Sequence, residues 1–265
     1  MGNTKSQVLE ILSNNKGQFF SGEELASALG VSRNSVWKAV NSLKFDGYRI
    51  ESIKNKGYAL AVDTDVISVK GIKKNLNRDL NIEVYKEVTS TNTLLKECAI
   101  KGAEEGHTII ANMQTAGRGR IGRTFHSPSD TGIYMSVLLR PNDLIPEDAV
   151  KITTLAAVAA CEAIEEVSGK DASIKWVNDI FMNGLKVCGI LTEAAMSLEN
   201  GNLDYVILGI GFNAYEPEGG FPDEIKGIAG CVFDEPHEDA RNKLISSFLN
   251  RFMDGYTKEL KNFLR

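Results

Sequence analysis

The chain lacks the cysteine pairs, long apolar runs and phosphate-loop signature that mark several common protein classes. Its four cysteines, Cys98, Cys161, Cys188 and Cys231, are scattered, with no C-x-x-C pair. That spacing excludes a cysteine metal cage, and a disulfide framework is not expected at this length. Met1 to Glu10 is polar and has no apolar segment of the signal-peptide kind. No apolar run reaches the roughly 20 residues that a membrane-spanning helix requires. These absences predict a soluble, cytoplasmic protein with no membrane partner and no metal held by its own side chains. No Gly-Lys-Ser/Thr occurs anywhere, which removes the P-loop nucleotide binders.

At 265 residues the chain exceeds one average domain, so two are expected, and 43% hydrophobic content allows a sizeable core. A net charge of −5 argues against generic coating of nucleic acid. The charge is uneven. Residues 1–61 hold eight Lys/Arg against five Asp/Glu, a net of +3, which leaves −8 for the remainder. A mildly basic head on an acidic body hints at a separate DNA-facing module.

The first sixty residues carry helix-turn-helix grammar. Val8, Ile11 and Leu12 follow helical spacing, with Gly17 after the last turn. Ser21-Gly22-Glu23-Glu24 announces a second helix with Leu25, Ala26 and Leu29 inward. Gly30-Val31 breaks it, and Ser32 caps a third helix striped by Val36, Val40 and Leu43. In this geometry the start of the third helix enters the major groove, so Arg33, Asn34, Ser35 and Lys38 are expected to face bases or phosphates. Tyr48–Ile53 and Gly57–Leu60 form a wing that brings Lys54 and Lys56 to the DNA backbone. Trp37 and Phe45 are assigned to the core. The organisation predicted is a winged helix-turn-helix domain at 1–62, a linker with a short helix at 63–81, and a second domain at 82–265.

The second domain mixes strands and helices. Strands are expected at Ile82–Val88, Thr108–Met113, Gly132–Arg140, Ile174–Val177, Lys186–Glu193 and Tyr205–Gly211. Asn183-Gly184 and Glu199-Asn200-Gly201-Asn202 make turns between them. Asp148–Val167 and Arg241–Leu264 read as long helices. This is an α+β class with a mixed sheet covered on one side. Thr89-Ser90-Thr91-Asn92 opens a further helix containing Leu94, Leu95 and Cys98. Ser90 or Thr91 takes the N-cap there, and the free N–H groups of that end suit either capping or a polar ligand head. On these residues alone, capping takes precedence.

Gln114-Thr115-Ala116-Gly117-Arg118-Gly119-Arg120-Ile121-Gly122-Arg123 is the densest chemistry in the chain, with three glycines and three arginines between 117 and 123. Glycine permits close backbone approach, and arginine presents a fork of donors to carboxylate or phosphate. Gly117-x-Gly119-x-x-Gly122 imitates the dinucleotide fingerprint, but a strand rather than a helix follows Ser127-Pro128, so that assignment fails. An RNA-binding arginine-glycine tract is long and disordered, whereas this segment lies between apolar strands.

Five motifs occur in order: Ser90-Thr91-Asn92, the Gln114–Arg123 loop, Lys175-Trp176-Val177-Asn178-Asp179, Lys186-Val187-Cys188-Gly189-Ile190-Leu191-Thr192-Glu193, and Gly209-Ile210-Gly211-Phe212-Asn213. With the winged helix in front, the series resembles bacterial biotin protein ligase in the form that doubles as a biotin-operon repressor. The resemblance covers nearly the whole chain. It implies a class II synthetase-like catalytic domain that joins biotin to ATP as biotinyl-5′-AMP and passes biotin to a lysine of biotin carboxyl carrier protein. Biotin and ATP are then substrates, and Mg²⁺ enters with ATP.

The resemblance also implies residue roles. Ser90, Thr91, Asn92 and Gln114 bind the biotin head. Gly117, Arg118, Gly119 and Arg120 contact the ligand from the loop. Lys186, with Arg118 and Arg120, stabilises charge in catalysis. Arg123, Asn178, Asp179 and Asn213 meet ATP or the adenylate. Phe125 serves as an apolar lid, while Trp176 is assigned to the core. The adenylate-bound chain is expected to form a homodimer on operator DNA.

Two departures from the family pattern stand out. Val177 replaces the usual proline before Asn-Asp. The chain ends at Arg265 in a charged helix, so the C-terminal SH3-like barrel typical of the family is expected to be lacking. A regulator that senses biotin or its adenylate with little transfer, and a lipoate-type ligase, are the alternatives.

Overall fold

A computed structural model describes residues 4–141, 144–196 and 201–261. The turn expected at 199–202 and the helix end expected at 262–264 fall partly or wholly outside these residues. The chain forms two compact units: Met1–Val66 with Pro236–Asp239, and Ile67–Glu235 with Ala240–Arg265.

The first unit contains helices α1 (Thr4–Asn14), α2 (Gly22–Leu29) and α3 (Arg33–Phe45), then the hairpin β1 (Ile50–Ile53) and β2 (Gly57–Leu60). Ser21 opens α2 with a reciprocal capping box. Its hydroxyl accepts the Glu24 N–H at 3.1 Å, and the Glu24 carboxylate accepts the Ser21 N–H at 2.6 Å. Ser32 caps α3 by accepting the Ser35 N–H at 3.1 Å. Phe20 pairs with Tyr58 through two backbone bonds of 2.9 and 2.8 Å, which ties the hairpin to the start of α2.

Val8, Leu12, Leu25, Val36, Val40, Leu43 and Leu60 close the core of this unit. Trp37 and Phe45 do not join it: they are 54% and 74% exposed. The buried stripe of α3 is Val36, Ala39, Val40 and Leu43. Trp37 lies one position from Val36, a rotation of about 100° that carries it off the stripe.

The second unit continues with α4 (Val69–Lys73), β3 (Ile82–Tyr85), α5 (Thr91–Ile100), β4 (Thr108–Ala111), β5 (Gly132–Leu139) and α6 (Ala149–Ser168). It ends with β6 (Ser173–Lys175), β7 (Asp179–Met182), β8 (Leu185–Met196), β9 (Leu203–Asn213), α7 (Ala240–Gly255) and a wider final turn, Tyr256–Lys261. The strands make one seven-stranded sheet in the order β3-β4-β5-β9-β8-β7-β6. Only β3 and β4 run parallel; every other neighbouring pair is antiparallel. Residues set between the domains by sequence pack onto α7: Ser68 N–H donates to Asn242 Oδ1 at 3.0 Å, and Asn77 N–H to Asn250 Oδ1 at 3.0 Å.

The sheet is covered on both faces, not one. Ile133, Met135, Val137 and Leu139 of β5 join α6 and α7 in the large core. Leu138 and Ile109 join Leu95 and Ala99 of α5 on the other face. The period-two alternation of a strand makes both assignments compatible. Trp176 also departs from expectation. It follows the last residue of β6, where the chain turns outward, and is 75% exposed.

Exposure separates two neighbouring substitutions in α3. Leu43→Ala is expected to cost about 2–5 kcal/mol through cavity formation. Trp37→Ala, outside the core, should stay below about 1 kcal/mol. Chemical denaturation of the two variants measures the contrast, and comparable losses would return Trp37 to the core.

Candidate active site

The face of the sheet beside α5 holds a cavity of about 60 Å³ lined by Ser90, Thr91, Asn92, Gln114, Arg118, Gly119, Arg120, Phe125, Asn178, Lys186 and the glycines Gly189, Gly209 and Gly211. It exists because two strand positions carry no side chain. A Cβ on Gly209 would stand 2.2 Å from Asn92 Oδ1, and one on Gly211 would stand 2.5 Å from the Phe125 ring. Asn92 and Phe125 therefore lie directly on the strand backbone.

A polar chain runs behind the cavity. Ser136, fully buried on β5, is 2.6 Å from Asn92 Oδ1 and 2.8 Å from Thr91 Oγ1 through its hydroxyl oxygen. Asn92 Nδ2 donates to Glu193 Oε2 at 2.7 Å. Glu193 Oε1 pairs with an Arg118 amino group at 3.1 Å. On the other side, the Thr91 N–H donates to Gln114 Oε1 at 2.8 Å, and Gln114 Nε2 donates to Ser127 Oγ at 3.0 Å. The capping reading of Ser90 is corrected here. Ser90 stands at the N-cap position but makes no side-chain cap bond and lines the cavity, while Gln114 accepts the first N–H of α5.

A second chain reaches Lys186. Arg120 donates to Asn178 Oδ1 at 2.8 Å, Asn178 Nδ2 donates to Asp179 Oδ1 at 2.9 Å, and Lys186 Nζ pairs with Asp179 at 2.7 Å. Two arginines of the loop are thus anchored to the sheet at separate points. The loop closes on itself through Gly119 N–H to Arg123 O at 2.7 Å and Phe125 N–H to Gly117 O at 3.0 Å. Cys188, buried between these groups and the core, has its thiol pushed well up by burial, so it is no nucleophile at neutral pH. Burial likewise raises the Tyr134 phenol, which stays protonated and donates to Pro128 O at 2.9 Å.

Four expected site residues lie outside the cavity lining. Gly117 is a packing glycine, since its Cβ would meet Phe125 O at 2.4 Å. Arg123 is exposed beyond the loop closure. Asp179 acts through Lys186. Asn213 donates both amide protons to backbone, to Lys186 O at 3.4 Å and Gly230 O at 3.1 Å. Ser136 and Glu193 were given no role by sequence reasoning. Ser136 left a signal, a lone hydroxyl in an apolar strand, and Glu193 ended a motif.

In the first unit, Arg33, Asn34, Lys38, Lys54 and Lys56 are exposed. Arg33, Asn34, Lys54 and the exposed Trp37 line a groove of about 580 Å³. Ser35 turns its hydroxyl to Ser32 at 2.9 Å.

Residues 84–213 match the biotin/lipoate A/B protein ligase family, and residues 4–59 match an HTH domain. The bifunctional ligase/repressor BirA of Bacillus subtilis (strain 168) is 40% identical over 228 residues, which is 85% of this chain and 69% of that protein. The chain belongs to the biotin protein ligase family, in its bifunctional ligase/repressor form. The ligase/repressor of Escherichia coli (strain K12) is 29% identical over 207 residues, 78% of this chain and 62% of the relative. Among solved structures, the biotin protein ligase of Aquifex aeolicus in complex with biotin and ATP matches with a TM-score of 0.55 and 31% identity, over 69% of this chain and 75% of that one. The ligase family thus spans both units: the winged helix and the sheet with its arginine loop.

The floor of the cavity is testable by substitution alone. Gly209→Ala should force Asn92 off Ser136 and Glu193, costing about 1–3 kcal/mol by overpacking. Adding Asn92→Ala should recover part of that loss, a non-additivity that melting curves of the single and double variants measure. Simple additivity would mean that Asn92 does not rest on Gly209.

Proposed function

We propose that this chain activates biotin with ATP and transfers it to a lysine of a carboxyl carrier protein, and that its winged helix represses transcription in response to the same intermediate. The observation that carries the reading is the convergence of the Ser90–Asn92 helix start, Gln114, Arg118, Arg120 and Lys186 on one cavity, in a chain of this family.

In the first step a biotin carboxylate oxygen attacks the α-phosphorus of ATP and pyrophosphate leaves. Two anions must meet, so the barrier is largely electrostatic. Lys186 stands at the cavity edge to neutralise the carboxylate and α-phosphate, released from Asp179 as the anions arrive. Arg118 and Arg120 add charge from the loop. Ser90, Thr91, Asn92 and Gln114 hold the uncharged head by hydrogen bonds. Asn213 offers the adenine amine its Oδ1 alone, because its two N–H groups are committed to backbone. Arg123 joins the phosphates once the loop rearranges around them, and Gly119 lets the loop backbone come close.

Mg²⁺ arrives on ATP, whose phosphates and waters supply most of its oxygen ligands; Asn178 and Asp179 border that position. In the second step a carrier lysine amine attacks the acyl carbonyl, AMP leaves, and the amine gives up a proton. A loop closed over the adenylate protects the mixed anhydride from water until then.

For the second activity, Arg33, Asn34, Ser35 and Lys38 of α3 and Lys54 and Lys56 of the wing face operator DNA. Adenylate binding orders the loop and promotes a homodimer, so two weak DNA-binding heads act as one ligand. No helix among the described residues is long and apolar enough to cross a membrane, and we place the protein in the cytoplasm.

Mixing the chain with Mg-ATP, biotin and a carrier domain, and following pyrophosphate and biotinylated product, tests the enzymatic reading. Product should appear, and Lys186→Ala should lower pyrophosphate release about 10²- to 10³-fold, the scale of one preorganised charge-stabilising donor. Adenylate without transfer would point to a sensor, and turnover with lipoate alone would sink the assignment. For DNA, Lys54→Ala with Lys56→Ala should reduce the slope of log affinity against log salt by about 2, one per lost phosphate contact. An unchanged slope in a fluorescence titration would remove the wing from the interface.

A further inference from the structure

The cavity is too small for the ligand it is built to hold. About 60 Å³ is room for a few waters, whereas small-molecule sites measure roughly 300–1,000 Å³. A larger ligand seated there presses on the arginine loop that lines the cavity, so the contacts that pin the loop bear on its entry. The Arg118–Glu193 pair is one such pin, and its carboxylate is shared with a residue of the head subsite. Glu193 Oε2 accepts from Asn92 Nδ2 at 2.7 Å while Oε1 holds Arg118 at 3.1 Å.

The two contacts of Glu193 differ in how readily they exchange. Asn92 is 5% exposed, and its amide is fixed from both ends, by the Ser136 hydroxyl and by Glu193. Losing the bond to the charged partner there leaves the buried amide nitrogen with only a long contact of 3.5 Å to the Leu191 carbonyl, which is expensive. The Arg118 side chain is 51% exposed and Glu193 30%. An ion pair that open to solvent is weak and readily replaced by another anion. The loop tip favours release. Ile121 is 94% exposed and has a left-handed backbone, φ 55°, a strained conformation for a β-branched residue.

We propose that Glu193 is a positioning residue that serves as an exchangeable latch. It keeps the Asn92 amide aimed at the ligand head, and it holds Arg118 at the cavity until an anionic ligand takes the guanidinium away. One carboxylate thereby couples the head subsite to the loop. The latch itself follows from the Asn92–Glu193–Arg118 geometry; the identity of the head rests on the biotin reading above.

Limited trypsin digestion of the full chain reads the latch, since Arg118, Arg120 and Arg123 are themselves cleavage points. Without ligand, Glu193→Gln should be cut in this loop about two- to five-fold faster than the parent, the fold-change that a half-exposed ion pair supports. Calorimetry with biotinamide, whose tail is uncharged, reads the head subsite. There Glu193→Gln should retain most of the parent affinity, because its amide oxygen still accepts from Asn92. Glu193→Ala should bind about ten- to a hundred-fold more weakly, as expected when a hydrogen bond to a charged group is lost. Equal cleavage of parent and Glu193→Gln would overturn the latch. Full biotinamide affinity in Glu193→Ala, or the same loss in both variants, would overturn the positioning of Asn92. A parent chain that binds no biotinamide would instead remove the biotin reading, and the digestion would still decide the latch.

Discussion

The site depends on how closely a side chain can approach the sheet. At Gly209 and Gly211 the strand offers bare backbone, and Asn92 and Phe125 occupy the space that two Cβ atoms would otherwise fill. Asn92 can rest there because its amide is satisfied by Ser136 and Glu193. Without those partners its burial would be costly. Ser136 in turn points toward α5 because β5 alternates, sending Met135 and Val137 into the opposite core. Removing either glycine would disturb packing, hydrogen bonding and loop position together.

Charge is handled differently from packing. Each of the two loop arginines that line the cavity has a protein partner, Glu193 for Arg118 and Asn178 for Arg120, and Lys186 has Asp179. The positive groups are therefore balanced rather than mutually repelling. The partners are exposed enough to be replaced, so an incoming carboxylate or phosphate meets cations already arranged around the place it will occupy. This is preorganisation in the electrostatic sense.

Much of this was legible in the residues. Ser21 with Glu24 and Ser32 with Ser35 mark helix starts by side-chain chemistry that acts within three residues. The strands through Ile109, Leu138 and Ile207 announce themselves by apolar composition. The Gly117–Arg123 loop stands out by its glycines and arginines, and the fold brings Arg118, Gly119 and Arg120 to the cavity. Less legible were residues whose setting comes from distant segments. Trp37, Phe45 and Trp176 look like core residues by type, yet each falls where the chain turns its face outward. Ser90 looks like a cap, but its side chain makes no cap bond and faces the cavity, while Gln114, distant in sequence, accepts the first N–H of α5. The sheet was expected to be covered on one side because the position of α5 does not follow from its own periodicity.

The sequence by itself determined most of the order of elements and the family, because propensity, capping and residue type are local properties. Only the tertiary structure decided which polar groups are spent and which remain. Asn213 loses both of its donors to the backbone of Lys186 and Gly230, and Glu193 acquires two partners about 75 and 100 positions away. Hydrogen bonds are short-range and saturable, so the capacity of each group depends on which neighbours the fold brings within about 3 Å.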